Sequence, residues 1–190
     1  MSAIYYRGYT QEELLAFWQP QPGATECGAY ALAIAGNLFR GQNSAKGAEV
    51  QDFLERNRAK LKGGGTPAWK SYARATQKYL PDGSVKASGH NSIASLKDAL
   101  KAGGLPIVAV SWQTNRQIAA DLLRRKMLRI GHYMVAVGYS AEHVHLLDPG
   151  AKTKELNALH VYSDQALDQI WNGQSNIFVP RGMIFTIYGL

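Results

Sequence analysis

The sequence predicts an α+β protein in which helices come first and an antiparallel sheet follows. Two patterns predict it. Up to about residue 104 the apolar residues recur at helical spacing between proline, glycine and capping signals; from Leu105 onward, short β-branched and aromatic runs alternate with turns. The 190 residues, 46% of them hydrophobic, suffice for one domain over 1–190, mainly helical in 1–104 and mainly β in 105–190.

Taken in order, QEELLAFW over 11–18 reads as a short helix opened by Thr10 and stopped before Pro20. After Pro22 and Gly23, Thr25 is placed to cap a second helix whose first turn holds Cys27, apolar nearly all round and therefore buried. A third helix is expected over about 49–61, ended by Gly63, Gly64 and Gly65, and a fourth from Pro67 to Leu80. In the fourth, Trp69, Tyr72, Ala73, Thr76 and Tyr79 form a stripe better read as core than as a ligand-stacking surface. Pro81 to Gly83 make a turn into an extended piece at 84–88, and Ser92 to Ala102 form an amphipathic helix closed by Gly103 and Gly104. Leu105 to Trp112 reads as a buried strand and Ile118 to Leu128 as a helix. Strands then follow at HYMVAVGYS and HVHLLDPG about a turn near Ser140, at 161–162 and at 183–188, with a helix over 163–171.

The net charge is +7, gathered in Arg56, Arg58, Lys60 and Lys62 and in Arg124, Arg125, Lys126 and Arg129. Both clusters read as solvated faces, because no nucleic-acid motif accompanies them and basic residues do not interleave with aromatics. No run approaches a membrane span, and MSAIYYRGYT lacks the order of a secretory signal. A reducing cytoplasm is the default setting, with export by a route needing no signal peptide as the alternative; a single cysteine forms no internal disulfide.

That cysteine is the chemical focus. In the first turn of a helix, unpaired backbone N–H groups and the positive end of the helix dipole favour a thiolate, which is the reactive form of the side chain. Glu26 opposes this, so a cation or histidine must come from elsewhere. His132 and Asp148 supply a base and its orienter. Directly opposed residues in an antiparallel hairpin have a constant positional sum and share a face. A turn centred on Ser140 sets that sum at 280, which His132 and Asp148 satisfy, with Met134, Ala136, Val144 and Leu146 continuing the same face. His143 and His145 fall on the other face, His160 lies beyond a polar loop, and no metal site is expected. The Cys27 N–H and the amide of Gln21, six residues upstream, are the donors for an oxyanion, Gln19 being the less favoured amide.

Gln21, then Cys27 and Gly28 opening a helix of small residues, resemble the nucleophile segment of papain-like cysteine peptidases. GHYMVAVGY followed by LLDPG, with His132 and Asp148 sixteen apart, resembles more narrowly cysteine peptidase family 39, the bacteriocin-processing double-glycine peptidases, here as a stand-alone domain. The likeness covers about 17–39 and 105–150. It implies a papain-like fold in which a helical lobe sets the nucleophile helix against an antiparallel sheet, with no cofactor or metal and with a peptide or protein as substrate. It also implies attack by Cys27 to give a thioester, with His132 as base, Asp148 orienting it and Gln21 holding the oxyanion. Two alternatives stay open: deamidation or transglutaminase-like acyl transfer on a protein side chain, and a non-catalytic peptide-binding module of the same fold.

Overall fold

The structure, a computed structural model, describes residues 2–23, 25–60, 69–111, 131–153, 158–172 and 181–189. Seven strands form one antiparallel sheet: β1 (Ile4–Tyr5), β2 (Gly83–Ser88), β3 (Leu105–Ser111), β4 (Gly131–Tyr139), β5 (His143–Leu147), β6 (Leu159–Ser163) and β7 (Ile184–Gly189). Their order is β2-β7-β3-β4-β5-β6, with β1 paired to the far end of β4. The helices are α1 (Gln11–Ala16), α2 (Cys27–Arg40), α3 (Gly47–Arg56), α4 (Trp69–Tyr79), α5 (Ile93–Lys101) and α6 (Asp164–Asn172). Among the described residues no helix is long and apolar enough to cross a membrane.

Several of these elements follow from local chemistry. The Thr10 hydroxyl accepts from the Glu13 N–H at 3.2 Å while the Glu13 carboxylate accepts from the Thr10 N–H at 2.7 Å, a reciprocal cap that starts α1. Ser92 and Ser95 do the same for α5. α2 is buried at every position from Cys27 to Phe39 except Tyr30 and ends at Gly41, whose φ of 68° suits a residue without a Cβ. Three of its fully buried side chains, Leu32, Ile34 and Leu38, each contribute about 1.5–3 kcal/mol of transfer free energy. α3 begins two residues earlier than the pattern predicts, at Gly47, where any Cβ would come within 2.3 Å of the Tyr30 ring. The helix expected over 118–128, its basic cluster Arg124, Arg125, Lys126 and Arg129, and Pro67 with the glycine run before it lie outside the described residues.

Helices cover both faces of the sheet. On one, α2 and α4 pack with Leu105, Ile107, Ala109, Tyr133, Val135 and Val137; on the other, α5 and α6 pack on Val108, Val110, Met134, Ala136, Val144 and Leu146. α5 belongs by sequence to the helical first half, yet it lies across the sheet from α2. A central strand buried on both sides accounts for this, and the continuous apolar run of β3 is its signature.

The β4–β5 register differs from the expected sum of 280. Next to the turn, Tyr139 faces Val144 and Gly138 faces His145, a sum of 283. After a bulge at Val137 the pairs are Ala136 with Leu146 and Val135 with Leu147, a sum of 282. An odd sum carried to the end of the hairpin would put His132 and Asp148 on opposite faces. The one extra residue in β4 restores the even sum, so the two share a face because of the bulge rather than because of the turn.

Candidate active site

Cys27 is the first residue of α2, its side chain 5% exposed within the core beneath the sheet. The helix N-cap is Glu26, with no side-chain capping bond; Thr25, expected to cap, stands one residue too early. The Glu26 side chain therefore leaves the first helical N–H groups uncapped. Glu26 turns its carboxylate back along the loop, where Oε2 accepts from the Thr25 N–H at 3.3 Å and would lie 2.7 Å from a Cβ at Gly23.

His132 and Asp148 stand where alternation puts them, 4% and 7% exposed. The bond between His132 Nε2 and Asp148 Oδ1 is 2.5 Å long. An ionised carboxylate only accepts, so Nε2 carries the proton. Burial opposes a charged imidazole here, but the Asp148 carboxylate and the neighbouring Cys27 side chain outweigh it and push His132 up to about 9. Burial likewise works against the Asp148 charge; the bonds from His132 and His160, the His132 charge and the Gly150 N–H overcome it and hold the carboxyl well below the usual carboxylate range.

The acid is fixed on every side. Its N–H donates to Ala158 O at 2.8 Å and its carbonyl accepts from Trp18 Nε1 at 2.7 Å, while Oδ1 also accepts from the Gly150 N–H at 2.6 Å. A Cβ at Gly150 would sit 3.0 Å from Asp148 Oδ1 and 3.1 Å from His132 Cε1, so any larger residue presses on the pair. The Gln21 N–H donates to Pro149 O at 2.8 Å and ties the two segments together.

The two glutamines separate clearly. Gln19 is spent on structure: Nε2 donates to Ala45 O at 2.6 Å and Oε1 accepts from the Gly47 N–H at 2.9 Å. Gln21 donates only to Gly23 O, two residues on, and its Oε1 is buried without a partner.

Four residues gain a place that their sequence context did not suggest. Lys60, read as part of a solvated cluster, is 5% exposed, its Nζ without a hydrogen-bond partner among the described residues; burial pulls its pKa down, and the charges of Glu26 and Cys27 are among those that oppose this. The Tyr133 hydroxyl is also buried without a partner near Cys27, and the Tyr72 hydroxyl donates to Gly28 O at 2.8 Å. His160 donates from Nε2 to Asp148 Oδ2 at 3.1 Å. The β5–β6 register places it opposite Leu146, an even step from Asp148 and hence on the same face, but the long connection between those strands hides that pairing from the sequence. His145 turns away as expected, its ring edge-on to Tyr5 at 5.0 Å.

A model of the Peptidase_C39 like family matches residues 4–177. The chain belongs to that family. Its fold is similar to the crystal structure of a candidate C39-like peptidase from Bacillus anthracis, with a TM-score of 0.59 and 15% identity over 91% of this chain and 94% of the other. No curated protein matches the sequence significantly. Family and fold together make this C39-like protein an α+β chain of the papain-like type, as its nucleophile segment and hairpin imply.

Proposed function

We propose that the protein is a cysteine peptidase that cuts peptide bonds through Cys27, His132 and Asp148. The observation that supports this reading is one buried imidazole bonded to the Asp148 carboxylate and raised by both that carboxylate and the Cys27 side chain. Beside an imidazole that holds its proton to about pH 9, the thiolate is the form of the cysteine able to attack. The thiolate attacks the scissile carbonyl carbon, and the electrons of its π bond move onto oxygen. The Cys27 N–H and Gln21 receive the oxyanion, Gln21 after a half-turn of its amide releases Nε2 from Gly23. When the C–N bond breaks, the imidazolium gives its proton to the leaving amine and a thioester remains. The neutral imidazole next takes a proton from water, whose oxygen displaces the thiol and yields the carboxylic acid. Asp148 keeps the ring's tautomer and plane through both steps.

The test is to incubate the protein and its Cys27→Ala variant with a peptide library and weigh the products. Cut chains made by the wild type alone establish the peptidase. An amide-to-acid mass change without cleavage replaces it with a deamidase, and unchanged peptides retained on both proteins replace it with a binding module.

A further inference from the structure

The Asp148 carboxylate is shared unevenly. Oδ1 takes both His132 Nε2 and the Gly150 N–H, whereas Oδ2 has His160 Nε2 as its donor. His160 is itself positioned: it is paired with Leu146 across the β5–β6 ladder, and its ring lies against Tyr162, 5.6 Å between centroids at an interplanar angle of 30°. On α6, which packs on β6, the acidic groups are otherwise engaged, Asp164 by Lys97 at 2.6 Å and Asp168 by the Asn172 amide at 2.8 Å. Asp148 is thus the carboxylate that His160 serves, and among the described residues the Tyr162 hydroxyl, raised by burial and by the Asp148 charge, is a further titratable group beside it.

We propose that His160 is a positioning residue, the fourth member of a Cys27–His132–Asp148–His160 relay, which holds the outer oxygen of Asp148 so that the inner one stays in the plane of His132. This rests on the peptidase reading of the site. Without a donor at Oδ2, a buried carboxylate oxygen is left unsatisfied, and the group turns to find another partner. Its bond to His132 then weakens, and the imidazolium loses its proton at lower pH.

The experiment is the rate of Cys27 alkylation by iodoacetamide against pH, in the full-length protein and in His160→Phe, His160→Gln and Asp148→Asn. Phe keeps the ring on Tyr162 but cannot donate; Gln can donate from the position of Nε2 but has no ring. The expected result is a three- to tenfold slower reaction in His160→Phe, the low end of what outer partners of a functional group cost, with the alkaline limb moved to lower pH and His160→Gln close to wild type. His160→Ala serves in place of Phe if that variant does not fold. An unchanged profile in the donor-less variant, a limb moved to higher pH, or an equal loss in Phe and Gln overturns the proposal. If wild-type Cys27 reacts no faster than a model thiol, or Asp148→Asn moves nothing, the peptidase reading fails first and takes the relay with it.

Discussion

The two ends of the candidate site are built on opposite principles. Around Asp148 the polar atoms are satisfied: two oxygens, one N–H and one carbonyl meet His132, His160, Gly150, Ala158 and Trp18. On the Cys27 side they are not, since Gln21 Oε1, Lys60 Nζ and the Tyr133 hydroxyl are all buried without a partner among the described residues. Unmet buried polar groups cost about 1–3 kcal/mol each, so a fold retains them where they do something other than stabilise it. The difference teaches where rigidity and responsiveness sit: the acid end is pre-set, and the nucleophile end keeps donors and charge for a reacting group.

Substitutions can break that contrast. Cys27→Ala should abolish thiol-dependent hydrolysis, a loss of 10³-fold or more by order of magnitude, while thermal melting shifts by only a few degrees. Activity surviving in this variant removes the nucleophile end from the chemistry. Asp148→Asn should lower kcat by about 10²- to 10⁴-fold and also destabilise the fold by about 1–3 kcal/mol, because the donors around it lose a charged acceptor. It should move the alkaline limb of activity, set by His132 at about 9, to lower pH, since the bond and charge that raise the imidazole are gone. The sign for stability follows from the same shifts: the His132 contribution is complete below the ordinary histidine value of 6.5 and fades as pH rises through about 9, while the Asp148 contribution is present above the ordinary carboxylate range and is lost as pH falls below it. Denaturant melts of wild type and Asp148→Asn across that range check it.

The glutamines sharpen the comparison at smaller scale. Gln21→Ala should cut kcat by about 10²-fold with stability unchanged, because its side chain spends little on the fold. Gln19→Ala should do the reverse, costing about 1–3 kcal/mol through Ala45 and Gly47 and leaving kcat alone. Equal behaviour of the two would show that neither feeds the oxyanion. The smallest effect is expected from Lys60→Met. Removing a buried unpaired charge should leave the fold neutral or more stable by about 1 kcal/mol, while Cys27 alkylation at neutral pH slows a few-fold. A faster reaction would mean that Lys60 does not offset Glu26.

Much of this was legible because it is local. The start of α2 within a residue of its expected place, the Thr10 cap, and the strands flanking Ser140 depend on neighbours a few residues away, and propensity reads such neighbours well. The shared face of His132 and Asp148 was also readable, though for an incomplete reason: the turn alone sets an odd register, and the bulge at Val137 corrects it. Nothing in GHYMVAVGY announces that bulge. It forms where the partner on one side of β4 passes from β3, paired as far as Val135, to β1, paired from Gly138, while β5 runs along the other side.

The sequence by itself determined the family and most of the order of helices and strands, and it singled out Gln21, Cys27, His132 and Asp148 as the candidate site. Those rest on spacing within a segment or across one hairpin. Only the tertiary structure decided that β1 joins the sheet at the end of β4, that α5 crosses to the far face of the sheet, that Lys60 is buried rather than solvated, and that His160 reaches Asp148. Each of these depends on packing between segments distant in the chain, where burial and register are set by the whole core and leave no period for the sequence to display.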